Sequence, residues 1–170
     1  MSRTTVLALT IGAGSKALKE LRNSHGSAPV VWNEMCKKYY GTEDQGYTRN
    51  NLLERLWPRY KDLSIPKHQR AVLMMTYDRA YVSKDNYQQA ANDIKQFLED
   101  FPPKDGYANH WKAIAKIYES SPDCEAVGLH CTSVSENPFD GEWNEEANDY
   151  DPIDWSTAYE IYAELDGITE

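Results

Sequence analysis

Long apolar runs are missing from this chain, and cysteine is scarce. No stretch approaches the roughly 20 consecutive apolar residues of a membrane-spanning helix, so the sequence predicts no membrane partner. The one leader-like stretch, TTVLALTIGAG after Arg3, is short and interrupted by Thr10, which argues against a secretory signal. Three cysteines, Cys36, Cys124 and Cys131, are too few and too scattered for a disulfide framework and point to a reducing cytoplasm. Internal repeats and low-complexity tracts are also missing. What remains is 170 residues, 41% apolar and 12% aromatic, which is too much to bury for a disordered chain and enough for one core.

Positive charge is missing from one end. All 18 Lys and Arg lie in residues 1–116, among 12 acids; residues 117–170 hold 15 acids and neither Lys nor Arg. The net charge of −9 is therefore carried by the C-terminal third. Such asymmetry marks an interaction surface for a basic partner and says nothing directly about fold.

Catalytic signatures are missing too. The stretch IGAGSK (11–16) offers a Gly-rich turn with a lysine, a geometry that cradles phosphate when a helix follows. The spacing GxxxxGK[ST] and the third glycine of GxGxxG are both absent, so a tight turn is the plainer reading. Cys124, His130 and Cys131 are metal-ligand types without a CxxC pair. On a strand over 126–134, Cys131 shares a face with Val127 and Leu129 while His130 points the other way. Asp149, Asp151 and Asp154 do not meet the calcium-loop pattern. No nucleophile elbow is present. The reading is a non-enzymatic protein with no metal and no cofactor.

The periodicity predicts a mainly α or α+β domain of five to six helices with two short strands. The strands are TTVLALTI (4–11) and AVGLHCTSV (126–134). The five to six helices are drawn from seven stretches: 15–24, 27–40, 48–57, within 66–82, 83–101, 107–119, and from Asp154 or Ser156 through Leu165. Residues 1–135 form a helical body; 136–170 form an acidic, aromatic C-terminal region packed on the same domain, with a turn-rich loop over 135–153. The N-terminal strand pairs either with 126–134 or with a second copy of the chain, which would make a homo-oligomer.

Two surfaces compete for function. In NEEANDYDPIDW (144–155) five of twelve residues are carboxylates, and rings are threaded among them. Aromatics anchor interfaces and carboxylates steer toward a basic partner. The candidate partner-binding residues are Glu142, Trp143, Glu145, Glu146, Asp149, Tyr150, Asp151, Asp154 and Trp155. A plainer reading makes these rings core and the acids a solvated face. The alternative surface is a nucleic-acid-binding stretch over 37–70, with Lys37, Lys38, Arg49, Arg55, Arg59 and Lys61 interleaved with tyrosines and Trp57. The acidic region could also lie on the basic body and neutralise it.

The stretches NHWKAIAKIY (109–118), TSVSENPFDGEWNEE (132–146) and YDPIDW (150–155) resemble the small, acidic, single-domain proteins of bacteriophages. That resemblance implies a host-takeover or anti-defence role in the host cytosol. The protein would be a viral inhibitor acting as a DNA mimic. Its partner would be a basic host protein or protein–nucleic-acid complex, such as a defence nuclease or a CRISPR or restriction complex.

Overall fold

The computed structural model of the chain describes residues 2–42, 52–132 and 135–169. The N-terminal hairpin is β1 (Arg3–Thr10) and β2 (Gly14–Arg22), followed by α1 (Ala28–Tyr40), α2 (Leu52–Leu56) and α3 (Lys67–Met74). The middle of the chain holds β3 (Ala80–Ser83), α4 (Tyr87–Asp100), α5 (Trp111–Glu119) and β4 (Ala126–His130). The end holds β5 (Asp140–Asn144), β6 (Asp149–Pro152), β7 (Tyr159–Glu160) and α6 (Ile161–Asp166). Five strands form one mixed sheet in the order β2-β1-β4-β3-β7, in which only β3 and β7 run parallel; β5 and β6 form a separate two-stranded sheet.

The expected mainly α fold with two short strands is therefore corrected to an α+β domain around a five-stranded sheet. Three segments account for the difference. SKALKELRNS (15–24) has helix-forming residues, but it turns back at Ile11–Ala13 and pairs with β1 from Thr10↔Gly14 to Arg3↔Arg22. Pairing with a strand already committed by its β-branched residues overrides local preference. The apolar segment 71–82 does not stay helical. It leaves α3 at Met74, passes Arg79 at a φ of 62°, and enters the sheet as β3. The supposed loop over 135–153 contains β5 and β6, and the last helix begins at Ile161, capped by Glu160 rather than by Asp154 or Ser156. Of the helix expected over 48–57, residues 48–51 lie outside the described residues, and Leu52–Leu56 is helical.

The N-terminal strand pairs with β4 in the register Val6↔Leu129 and Leu9↔Ala126. Strand alternation then sorts the sheet into two cores. Val6, Leu21, Val82, Val127 and Leu129 face the helices, where Trp111, Phe97, Tyr87 and Tyr118 fill the space. Leu7, Leu9 and Ala126 face the other way and are covered by Phe139 and Ile153, with Tyr81 and Trp155 at the margin. Phe139, Ile153 and Trp155 of the acidic C-terminal region thus roof the middle of one face of the sheet.

Its attachment is polar as well as apolar. Arg79 donates from Nε to Pro138 O at 3.2 Å and from one guanidinium NH2 group to Thr157 Oγ1 at 2.5 Å, so one side chain holds the segment at two points. Asn137 Nδ2 donates to Ser15 Oγ at 2.9 Å. Glu160 Oε1 accepts from Ser83 N at 3.1 Å and Asn86 Nδ2 at 3.1 Å, while Oε2 accepts from Ala163 N at 2.7 Å, which knits β7 and α6 to β3. Among the described residues no helix is long and apolar enough to cross a membrane.

Candidate functional site

The hairpin of β5 and β6 leaves the roof segment and returns to it. Its tip is Glu145–Asn148, where Asn144 Oδ1 accepts from Glu146 N at 3.0 Å and Ala147 N at 3.1 Å, and Asn148 takes a φ of 52°. An asparagine bonded to the backbone ahead of it, followed by a second asparagine in the left-handed region, is ordinary turn chemistry. At the base, backbone packs against Gly141 so closely that a Cβ there would lie 2.4 Å from Asp151 O.

Alternation divides the nine candidate residues. Trp143 is paired with Tyr150, and their rings meet edge to face at 5.1 Å on one side of the hairpin. Both are about half exposed, at 50% and 52%. Glu142, Asp149 and Asp151 project from the opposite side, where Asn144 Nδ2 donates to Asp151 Oδ1 at 3.0 Å. Glu145 and Glu146 sit at the tip, and all five carboxylates are exposed. None of the ion pairs among the described residues involves them. Asp149 faces Lys16 and Lys84 across an open hollow, with Lys84 already held by Asp123 at 3.1 Å.

Asp154 and Trp155 do not join this surface. Asp154 Oδ1 accepts from Ser156 N at 3.0 Å and Oγ at 2.6 Å, and these bonds to Ser156 hold its carboxyl below the usual range. Trp155 stacks at 6.0 Å on Phe139 and meets Tyr81 at 6.4 Å, part of the roof over the sheet. The segment therefore contains both of the roles weighed from sequence. Phe139, Ile153 and Trp155 are packing, while Trp143, Tyr150 and five acids are presented to solvent.

The basic stretch is arranged differently. Arg49 and Tyr47 lie outside the described residues. Arg55 lies over the Tyr40 ring at 4.7 Å, Arg59 over Tyr39 at 5.4 Å and Tyr40 at 5.8 Å, Lys38 over Tyr39 at 5.3 Å and Phe101 at 5.4 Å, and Lys61 over Tyr60 at 5.5 Å. Arg59 also pairs with Asp62 at 2.8 Å, and Tyr39 OH donates to Gln69 Oε1 at 2.6 Å. Arg70 is buried and donates to the Ile65 and Tyr60 carbonyls. These cations cover the tyrosine faces that stacked bases would need. Lys37 is an exposed residue of α1.

The Gly-rich stretch is a hairpin turn between β1 and β2, with no helix after it, and the Ile11 amide already donates to Glu125 Oε2 at 2.7 Å. Cys36, Cys124 and Cys131 are not joined in disulfides, and burial pushes the Cys131 thiol up to about 12, with Asp78 adding to the shift. His130 Nε2 lies 3.3 Å from Ser135 Oγ, and burial pulls its pKa down. No group of three or more His, Cys, Asp or Glu among the described residues is placed to hold a metal. Sequence reasoning missed the cleft of Trp32, Trp57, Tyr77 and Asp78, whose members are spread over three elements with no spacing signal.

No protein-family model matches the chain, and neither does any curated protein or solved structure.

Proposed function

We propose that the protein is a non-enzymatic binding protein whose β5–β6 hairpin docks on a basic, nucleic-acid-binding protein surface. One observation carries the reading: two aromatic rings and five carboxylates, none in an ion pair among the described residues, are exposed on a hairpin whose neighbouring rings, Phe139 and Trp155, are packed inward. A hairpin needed only to roof the sheet would not present Trp143 and Tyr150 to water. Rings of this kind anchor interfaces, and carboxylates can occupy phosphate positions on a basic partner. In its finer form the protein is a phage-type inhibitor acting in the bacterial cytosol on a defence nuclease or a CRISPR or restriction complex.

The test is affinity capture from bacterial lysate with the wild-type chain and with a variant carrying Glu142→Lys, Glu145→Lys and Asp149→Lys. Competition with duplex DNA follows for whatever protein is captured. The expected result is one specific partner, lost with the folded variant and released by DNA in competition. A folded variant that retains the same partner overturns the reading. Direct titration with labelled DNA over a salt series addresses the basic stretch, since phosphate contacts weaken steeply with salt. A steep salt slope abolished by Arg55→Ala and Lys61→Ala would favour that surface instead.

A further inference from the structure

A second site lies on the helical side of the molecule, between α1, the turn after α2, and the loop from α3 to β3. Trp32, Trp57, Tyr77, Asp78 and His130 line a cleft of about 470 Å³. The two indoles meet at 6.1 Å and 72°, so they form two walls nearly at right angles. The Trp32 ring and the Trp57 backbone are held in place. Trp32 Nε1 donates to Thr76 Oγ1 at 2.9 Å, Tyr77 OH donates to Trp57 O at 2.5 Å, and Tyr60 packs edge-on against Tyr77 at 6.0 Å.

The electrostatics of this cleft differ from those of the rings that the chain's own cations cover. The ring faces of Tyr39, Tyr40, Tyr60, Phe101 and Tyr162 each carry a lysine or arginine of the chain itself. Among the described residues no cation lies over Trp32, Trp57 or Tyr77. Asp78 is exposed at the mouth and takes part in no ion pair among the described residues. Burial disfavours the charged form of His130.

We propose that this cleft binds a methylated ammonium group. Aromatic faces attract cations through the ring quadrupole, and tryptophan does so best. Perpendicular walls suit a compact, round cation that touches both, whereas a flat base can lie on only one. The lining is mostly apolar, and Thr76 Oγ1 is already bonded to Trp32, which favours a weakly hydrated quaternary head over a bare ammonium that must keep its hydrogen bonds. Asp78 supplies the opposite charge. The head group has two sources, a methylated lysine on another protein or a free quaternary amine. The site is independent of the hairpin.

The experiment is an NMR titration of the full chain, following the indole N–H signals of Trp32 and Trp57. Tetramethylammonium chloride is compared with its neutral isostere tert-butanol and with sodium chloride at equal ionic strength. Saturable shifts with tetramethylammonium alone are expected, roughly tenfold weaker binding in Trp57→Ala and about threefold weaker in Asp78→Asn. The exposed Asp78→Asn variant keeps the test valid if Trp57→Ala unfolds. Equal response to tert-butanol, a stronger response to a nucleoside monophosphate, or no response would each overturn the proposal. A trimethyllysine peptide binding more tightly than choline assigns the head group to a protein partner, and the reverse order assigns it to a small molecule. The hairpin charge variant should respond like wild type.

Discussion

The ring of Phe139 lies directly on Gly128. A Cβ at position 128 would stand 2.6 Å from Phe139 Cε2, closer than carbon atoms approach, with Leu9 Cδ1 at 3.1 Å on the other side. Gly128 is paired across the sheet with Leu7 and Tyr81, so the missing side chain forms a socket in the middle of the sheet. The acidic segment enters the fold through that socket.

Gly128→Ala should therefore destabilise the fold by about 1–3 kcal/mol, the usual cost of overpacking. Phe139→Ala should cost about 3–5 kcal/mol through lost burial and the cavity left behind. The two should not add: Phe139→Leu, harmful alone, should recover part of the Gly128→Ala loss because the smaller side chain frees the socket. Urea unfolding of the two singles and the double checks this, and strict additivity would mean that the residues do not compete for one space.

Trp143 offers the opposite case. Half exposed and packed on Tyr150 alone among aromatics, it should lose under about 1.5 kcal/mol on substitution by Ala, within the range of one ring pair. Thermal unfolding of Trp143→Ala beside Phe139→Ala separates a presented ring from a packed one. A Trp143→Ala loss as large as that at Phe139 would make the hairpin ring structural.

Asp93 predicts a pH dependence. It is 3% exposed, and burial raises its carboxyl above the ordinary value although Tyr162 OH at 2.8 Å and Gln89 Nε2 at 2.7 Å both donate to it. A carboxyl that holds its proton more tightly folded than unfolded stabilises the fold at low pH, and that stabilisation is lost as pH rises through the raised value. Asp93→Asn can still accept from Tyr162 and carries no charge to desolvate. Denaturation midpoints from pH 4 to 8 should show the wild type losing ground to the variant as pH rises. Parallel curves would refute it.

Cys131 should be inert in the native state. With its thiol pushed up to about 12, the thiolate is only about one part in ten thousand at pH 8. Mass spectrometry after a short iodoacetamide pulse should find the Cys131 peptide unlabelled in the folded protein and labelled after denaturation. Equal labelling in both states would show an open, ordinary thiol.

Periodicity read the helices well where their apolar faces were wide. The segment 83–101 becomes α4, 27–40 becomes α1, and Gly41 ends α1 at a φ of 73°. It failed where pairing decides. The second strand carries Lys16, Ala17, Leu18, Lys19 and Glu20, all exposed, so no alternation marks it as a strand. Short β3 was hidden inside an apolar run that local pattern cannot tell from helix. The candidate surface was legible in part. Charge and rings marked the segment, but only alternation across a hairpin shows that Trp143 and Tyr150 face outward while Phe139, Ile153 and Trp155 face in. The truncation at residue 135 that the sequence invites would strip the roof from Leu7 and Leu9 and remove β7 and α6.

That roof also sets a clock. The strands β1 and β2 are synthesised well before the ring that closes over them, which is at position 139. At about 5–20 residues per second, roughly 7–26 s separate their synthesis. Throughout that interval Leu7 and Leu9 have no cover of their own. A nascent chain is therefore open at Leu7 and Leu9 until Phe139 and Ile153 have been made, and its dependence on holding chaperones should end with the emergence of the acidic segment.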